Sequence, residues 1–213
     1  DTMNFARAGA QVTAVDLSSR SLELARQRAV VFGLQDRIEF LEADAERLSE
    51  FVKPAEYDLV YSFGVIHHTP HPGRVLEQIR QHFAGPKTVF KMMVYYRWAW
   101  KVFAILFSEA HGKFWKLDEA VARNSEAQTG CPVTYTYTRS SVRHLLAQAG
   151  FTVDELFVDH IFPYRVPDYV QYRYVKAAPF SWLPNPAMRA LEHRLGWHLC
   201  VTSHLEGGSP GRA

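Results

Sequence analysis

Short apolar runs alternate with amphipathic stretches along the first half of the chain. The runs are rich in β-branched and aromatic residues, which predicts buried strands at 11–16, 38–44, 57–63 and 88–96. Apolar residues at helical spacing between them predict one helix at 19–32, after an N-cap at Ser18 or Ser19, and another at 74–83. Strands separated by helices of this length need crossover connections, so we expect a largely parallel α/β sheet covered on both faces.

The pattern becomes irregular at 97–137 and again at 162–196, where aromatic residues cluster. Between them lies a predicted helix, capped by Thr138 and stopped by Gly150. The remaining predicted elements are a strand at 151–161, a short helix at 187–194 and a final strand at 197–205. We expect a single domain over 1–213, whose two irregular segments are insertions that either pack on the sheet edge or cover a substrate.

Composition and charge favour a small-molecule partner. The 213 residues are 47% hydrophobic and 22% charged, enough apolar material for one sizeable core. A net charge of +2, with basic and acidic residues interleaved, argues against nucleic acid as a partner. No stretch reaches the roughly 18 consecutive apolar residues of a membrane span. The nearest is 98–107, and it is interrupted by Lys101.

Cys131 and Cys200 are the two cysteines of the chain, and they form no C-x-x-C motif. Two isolated thiols fit a reducing compartment better than a disulfide framework or a zinc site. We therefore predict a cytoplasmic protein in which neither thiol acts as a nucleophile or a metal ligand.

Acidic residues end the first two predicted strands, at Asp16 and Asp44. In an open α/β sheet, ligands bind beyond the carboxyl ends of the strands. An ionised carboxylate at the first end can accept hydrogen bonds from both ribose hydroxyls, and one at the next can accept from the amine of an adenine. Asp also begins turns and caps helices, but two acids at neighbouring strand ends favour nucleoside binding.

Three stretches of the sequence resemble successive motifs of the class I S-adenosylmethionine-dependent methyltransferases, in the small-molecule branch called type 11. They are "GAQVTAVDLSSRSLELARQRA", "IEFLEADAERL" and "YDLVYSFGVIHHTPHPGRVLEQIRQHF". The resemblance covers 1–96 well and 140–205 more loosely. It implies S-adenosyl-L-methionine as the cofactor. It also implies a Rossmann-like doubly wound sheet, mostly parallel, with an antiparallel C-terminal edge strand.

The same resemblance implies cofactor roles for residues at the strand ends. Asp16 would bind the ribose hydroxyls, and Leu17 would pack on the adenine. Asp44 and Ala45 would read the adenine amine. The residues that would border the methionine and the methyl group are Ser62, Phe63 and Gly64.

One part of the family pattern has no counterpart in this sequence, the glycine-rich loop after the first strand. The opening residues "DTMNFARAGA" resemble the helix that follows that loop, with Asp1 and Thr2 near the last residues of the loop. We therefore expect the chain to be N-terminally incomplete relative to the family, and we expect cofactor binding to depend on the missing strand and loop.

The stretch "FGVIHHTPHP" brings three histidines together just after the third predicted strand. A metal site needs converging imidazoles, but neighbouring side chains point apart and no acid or cysteine stands at a partner spacing, so we expect no metal. The loop could simply turn the chain into a helix that begins at Pro72. It would also lie beside the methyl donor, where His67 or His68, ahead of His71, could accept a proton from the substrate.

Methyl transfer from a sulfonium is an in-line displacement, which depends mainly on positioning the two reactants and excluding water. The leading hypothesis is transfer from S-adenosylmethionine to a small acceptor, hydrophobic or lipid-like in view of the aromatic segments. One alternative is an NAD(P)-dependent oxidoreductase, which Asp16 fits but Asp44 and the histidine loop do not. The other is a non-catalytic interaction protein on a methyltransferase scaffold. The acceptor atom and the oligomeric state stay open.

Overall fold

A computed structural model describes residues 1–108, 111–124, 133–161, 163–164, 168, 171–178 and 180–208. The α-helices in these ranges are α1 Thr2–Arg7, α2 Ser19–Val31, α3 Pro72–His82, α4 Trp100–Ser108, α5 Leu117–Asn124, α6 Arg139–Gln148 and α7 Asn185–Leu195. The strands are β1 Val12–Asp16, β2 Ile38–Glu42, β3 Leu59–Phe63, β4 Val89–Tyr96, β5 Thr136–Tyr137, β6 Phe151–Asp159 and β7 His198–Leu205. Short 3-10 turns occur at Gln35–Arg37, Ala45–Glu50, Ile66–His68, Phe114–Lys116 and Phe180–Trp182.

Side-chain caps begin two of the helices, as the sequence predicts. The Ser18 hydroxyl accepts a hydrogen bond from the Ser21 amide at 3.2 Å, at the start of α2. At α6, the Thr138 hydroxyl accepts from the Ser141 amide at 3.0 Å, and the Ser141 hydroxyl accepts from the Thr138 amide at 2.9 Å. This reciprocal pair satisfies two amides that have no partner within the helix. Gly150, at φ 77°, then carries the chain out of α6.

The strands form two sheets. In one, β1 pairs in parallel with β2; the other has the order β3-β4-β7-β6, with β5 paired to β4. β4 is parallel to β3 and β5, whereas β7 is antiparallel to both β4 and β6. The predicted α/β fold with an antiparallel C-terminal strand is confirmed. β7 lies inside the sheet, so β6 forms the edge.

The facing strands β1 and β3 belong to different sheets, and side chains bridge the space between them. The Thr13 and Tyr57 hydroxyls are 3.2 Å apart. Helix α1 also touches β3: the rings of Phe5 and Tyr61 meet edge to face at 5.1 Å, and the Tyr61 hydroxyl donates to Asp1 at 2.9 Å. These contacts frame a cleft that opens at the carboxyl ends of both strands.

The main hydrophobic core surrounds β4. Residues of α3 and α6 pack in this core, and β7 pairs with β4 in the sheet. Phe90 and Val94 of β4 are fully buried, together with Leu146 of α6 and Leu199 of β7. Burial of each such side chain contributes roughly 1.5–3 kcal/mol. The core therefore holds rigid the strands that form one wall of the cleft.

Helices α4 and α5 occupy part of the irregular segment 97–137. Their apolar faces join the main core, because Val102, Leu106 and Val121 are all buried there. The opposite face of α4 exposes Phe107. The described helices α4 and α5 therefore pack in the main core, and a role of the segment as a substrate cover stays a prediction.

Candidate cofactor and acceptor site

A cleft of about 600 Å³ lies between the two sheets. It runs from the facing sides of β1 and β3, where its walls are apolar, to the carboxyl ends of the strands. Six of the seven predicted cofactor-binding residues line it: Asp16, Leu17, Asp44, Ala45, Ser62 and Gly64. The seventh, Phe63, lines a neighbouring cavity.

Both predicted nucleoside-binding carboxylates also organise local turns. Asp16 Oδ1 accepts from the Ser18 amide at 2.8 Å, just before α2. Asp44 Oδ1 accepts from the Glu46 amide at 2.9 Å and caps the following 3-10 turn. An ionised carboxylate has about four acceptor positions, so one capping bond leaves the other oxygen able to bind a ligand. The capping and nucleoside-binding interpretations of these acids are therefore compatible.

Leu17 follows Asp16 directly and presents an apolar surface at the mouth of the cleft, with 73% of the residue exposed. An exposed leucine beside a carboxylate suits a ligand that has both a flat apolar part and hydroxyl groups. Ala45 occupies the corresponding place after Asp44, and its small side chain leaves room at the same edge.

Gly64 makes the turn after β3. Its φ of 79° is a left-handed conformation that L side chains rarely adopt. Its amide donates to the Met93 carbonyl of β4 at 3.2 Å, which fixes the turn against the sheet. Gly64 lines the cleft and the neighbouring cavity, so the two spaces meet here.

The neighbouring cavity has a volume of about 390 Å³. It lies where the carboxyl ends of β3, β4 and β6 meet the amino end of the antiparallel β7. Its walls are mostly rings, and the lining residues are Phe63, Gly64, His68, Met93, Tyr95, His160, Trp197 and His198.

His67 lies in the protein interior, away from both spaces. The residue is 0% exposed, and its ring packs 4.1 Å from that of His68 and 3.9 Å from that of Tyr95. Among the described residues, neither ring nitrogen of His67 has a hydrogen-bond partner. Burial, reinforced by His68 and His198, lowers the pKa of His67 to about 2, so the ring is neutral. Its position in the core suits packing better than proton transfer.

His68 lines both the cleft and the neighbouring cavity. Its Nδ1 lies 3.3 Å from the Val133 carbonyl oxygen and 3.1 Å from the Thr134 hydroxyl. A carbonyl oxygen only accepts hydrogen bonds, so this contact favours the tautomer with the proton on Nδ1. The lone pair of His68 then resides on Nε2.

His71 has a structural place at the start of α3. Its amide donates to Glu46 Oε1 at 2.6 Å, and Pro72 provides the first residue of the helix. The stretch therefore does turn the chain into a helix, while His68 faces the two spaces.

His160 and His198 stand together in the wall of the smaller cavity. Their rings stack at 4.6 Å, and the His198 ring also meets Phe63 edge to face at 5.3 Å. Burial, with a further contribution from His160, lowers the pKa of His198 to about 4, so its imidazole is neutral near pH 7. His160 holds this place with φ 63°, a conformation uncommon for a residue with a Cβ.

In the described part of the chain, no three His, Cys, Asp or Glu side chains converge in a way that could hold a metal ion. Burial raises the pKa of the Cys200 thiol to about 11, which keeps it protonated. Cys131 lies outside the described residues. No helix within the described ranges has the length and apolar character to cross a membrane.

Comparison with known proteins shows what the first part of the chain resembles. A family model described as "Methyltransferase domain" matches residues 2–84. This stretch is therefore similar to the methyltransferase domain family. The ubiquinone biosynthesis O-methyltransferase of Leptothrix cholodnii is 38% identical over 77 residues, which are 36% of this chain and 32% of that protein. The chain thus aligns with about a third of the length of this curated relative.

Solved structures share the fold over almost the whole chain. The [4+2]-cyclase SpnF has a TM-score of 0.60 and 16% identity, with 99% of this chain and 70% of that chain covered. The 1,6-didemethyltoxoflavin-N1-methyltransferase of Burkholderia thailandensis, solved with 1,6-didemethyltoxoflavin and S-adenosylhomocysteine bound, has a TM-score of 0.55 and 17% identity over 96% of this chain and 65% of that chain. One fold thus carries a cyclase and a methyltransferase, so the reaction must be argued from the site.

Sequence reasoning missed the part of the site outside the methyltransferase domain match. His160, Trp197 and His198 line the smaller cavity, yet they lie over ninety residues beyond His68 in the chain. The available signal was the antiparallel final strand, since its amino end must lie beside the carboxyl ends of the parallel strands. The residues at the start of that strand were therefore candidates for the ligand edge.

Proposed function

We propose that this protein transfers a methyl group from S-adenosylmethionine to a small hydrophobic acceptor by in-line displacement. The observation that carries the proposal is the convergence of six predicted cofactor residues on one cleft at the carboxyl ends of the strands. The match of residues 2–84 to the methyltransferase domain also supports it.

The cleft suits the nucleoside half of the cofactor. Asp16 would accept hydrogen bonds from the ribose hydroxyls through the oxygen that is not bonded to the Ser18 amide, and Leu17 would pack on the adenine. Asp44 and Ala45 would read the adenine amine at the next strand end. This division of roles uses the acceptor-only character of a carboxylate.

The methionine half would lie along Ser62, Phe63 and Gly64. That position brings the sulfonium methyl toward Gly64, where the cleft meets the smaller cavity. An acceptor in the smaller cavity would then approach the methyl carbon from the side opposite the sulfur, as displacement requires. His68, at the same junction, is the better candidate for proton transfer, whereas His67 is enclosed in the core.

The proposal treats 1–213 as one methyltransferase domain, with 97–137 and 162–196 as substrate covers. The Lys101 ammonium lies 4.6 Å from the centre of the Trp197 ring, so α4 reaches the wall of the smaller cavity. Parts of both segments lie outside the described residues. A cytoplasmic location belongs to the same proposal and rests on the isolated cysteines.

Calorimetric titration with S-adenosylhomocysteine tests the function, since this product binds without reacting. In the full-length protein we expect binding by the wild type, at least about tenfold weaker binding by Asp16→Ala, and unchanged binding by the control Asp36→Ala, which alters an exposed acid outside the cleft. Titration with NADH should give no heat of binding. Equal affinity of Asp16→Ala and wild type would contradict the nucleoside assignment, and NADH binding would favour an oxidoreductase.

A further inference from the structure

Phe114 and Trp115 are exposed side by side between α4 and α5. Phe114 is 65% exposed and Trp115 is 79% exposed, within the 3-10 turn Phe114–Lys116. Phe107, near the end of α4, is exposed as well. Single apolar residues scattered over a surface are ordinary, whereas neighbouring large ones mark a surface that meets another molecule. We call residues 111–116 the 111–116 loop.

The main core anchors the 111–116 loop at both ends. The Gly112 amide donates to the Leu106 carbonyl at 2.8 Å, and Leu106 is only 2% exposed. On the other side, Leu117 is 4% exposed. Left-handed conformations at His111 and Gly112, with φ 47° and 76°, turn the chain between these anchors. The fold therefore presents the two rings to solvent from a fixed position.

Two lysines flank the aromatic pair. Lys113 and Lys116 are both exposed, and the Lys116 amide donates to the Lys113 carbonyl at 3.0 Å, which closes the turn. The acids that follow, Asp118 and Glu119, lie 3.2 Å and 3.1 Å from guanidinium nitrogens in ion pairs of their own. Within the described ranges, neither lysine forms an ion pair. The surface around the rings is therefore positively charged.

A lipid bilayer with anionic headgroups fits this combination of rings and charges. Tryptophan is enriched where headgroups meet acyl chains, because its ring has an apolar body and a polar N–H. A lysine can lay its methylenes along the apolar region while its ammonium stays among the headgroups, and anionic lipids attract that charge.

A single-stranded nucleic acid also binds cations and stacking rings, but it needs a groove that follows its backbone. All six residues of the 111–116 loop are exposed, so the loop projects into solvent. A projecting loop suits a soft surface into which its rings can insert. The geometry therefore favours a membrane over a nucleic acid as the partner.

We propose that the 111–116 loop binds the surface of a membrane that contains anionic lipids. Phe114 and Trp115 insert at the level of the headgroups, and the Lys113 and Lys116 ammonium groups contact headgroup phosphates. The contact is peripheral and reversible, because two rings bury far less apolar surface than a membrane-spanning helix. This binding goes beyond the proposed methyl transfer and holds whichever reaction the cleft supports.

Sedimentation of the full-length protein with vesicles tests the proposal. The probes are vesicles of about equal parts phosphatidylglycerol and phosphatidylcholine, and vesicles of phosphatidylcholine alone. We expect binding to the anionic vesicles, at least about tenfold weaker binding to the neutral ones, and a loss of this difference in high salt, which screens the lysines. Failure to bind the anionic vesicles would overturn the proposal, and so would equal binding to both kinds in low salt.

An aromatic variant with a matched control tests insertion of the rings. Phe114→Ser/Trp115→Ser should bind anionic vesicles at least about tenfold more weakly, because the buried apolar area is lost. The control Val31→Ser/Phe32→Ser also removes two exposed apolar side chains, at the end of α2, and should bind like the wild type. Trp115→Phe should still bind, but the blue shift of tryptophan fluorescence on binding should shrink. Wild-type affinity in the double serine variant of the loop would overturn insertion.

A charge-reversal pair tests whether the lysines of the loop attract the lipid. Lys113→Glu/Lys116→Glu should bind anionic vesicles at least about tenfold more weakly and should lose the salt dependence. Lys53→Glu/Lys87→Glu changes the net charge equally at two other exposed lysines, and it should bind like the wild type. Far-ultraviolet circular dichroism checks that all variants are folded. Equal losses in the two lysine variants would assign the binding to net charge and would overturn the role of the loop.

Discussion

Three histidines within five residues have three different environments. His67 is enclosed by rings, His68 lies between the cofactor cleft and the smaller cavity, and His71 begins α3. The 3-10 turn at Ile66–His68 separates the first two, because consecutive side chains of a helical turn point in different directions. At the residue scale, the direction in which each imidazole points decides whether it can contact a ligand.

The buried, unpaired imidazole of His67 should make folding sensitive to acid. Its pKa is about 2 in the folded protein and near 6.5 in the unfolded chain, so below pH 6.5 only the unfolded state takes up the proton. Stability is then fully present above pH 6.5 and falls as pH decreases toward 2, by up to about 1.4 kcal/mol per pH unit for this group.

We therefore expect His67→Phe to lose less stability than the wild type between about pH 7 and about pH 5, measured by urea unfolding at each pH. At about pH 7 the variant should be as stable as the wild type or more stable, because an apolar ring replaces unpaired polar atoms. His144→Asn should keep the pH dependence of the wild type. A wild-type pH dependence in His67→Phe would show that His67 is not the group responsible.

At the scale of elements, substitutions in α4 can show whether this part of the aromatic segment belongs to the hydrophobic core or only lies over its surface. Leu106 is buried and belongs to the main core, whereas the neighbouring Phe107 is 70% exposed. Two adjacent apolar residues of one helix thus differ in environment, and their substitution should separate the two possibilities.

Leu106→Ala should lower the free energy of unfolding by about 2–5 kcal/mol, because it removes buried atoms and leaves a cavity. Phe107→Ala should change it by no more than about 0.5 kcal/mol, as expected for a surface position. Urea unfolding monitored by far-ultraviolet circular dichroism measures both. Similar small effects in the two variants would mean that α4 does not contribute to the core.

At the scale of the whole molecule, the cleft separates β1–β2 from the larger sheet. A ligand bound at the carboxyl ends of β1 and β3 would contact Asp16 on one side and Ser62 on the other. Binding to the folded state alone stabilises a protein, by about 2.7 kcal/mol when the ligand is present at 100 times its Kd.

We expect S-adenosylhomocysteine to slow hydrogen exchange most strongly in β1 and β3, which face the cleft, and least in β6, at the far edge. Hydrogen exchange with mass spectrometry measures this, and Asp16→Ala should show a smaller effect at the same ligand concentration. Equal slowing in all strands would contradict a ligand bound at the carboxyl ends of β1 and β3.

Local patterns in the sequence determined the α/β class, the caps at Ser18 and Thr138, and the strand ends at Asp16 and Asp44. These depend on spacing and on backbone chemistry within a few residues, which a sequence displays directly. Asp16, Asp44, Ser62 and Gly64 were expected at one edge because parallel strands bring their carboxyl ends together, whereas Leu17 and Ala45 were implied by the resemblance to the methyltransferase family.

Only the tertiary structure decided which histidine faces the site and what forms the smaller cavity. The sequence does not show which of the adjacent residues His67 and His68 is buried. Their surroundings depend on Tyr95, Val133 and other residues far along the chain. His198 reaches the cavity because β7 runs antiparallel beside β4 and places its amino end there. Pairing between distant strands and the burial of single side chains depend on the packing of the whole chain, and local spacing does not record that packing.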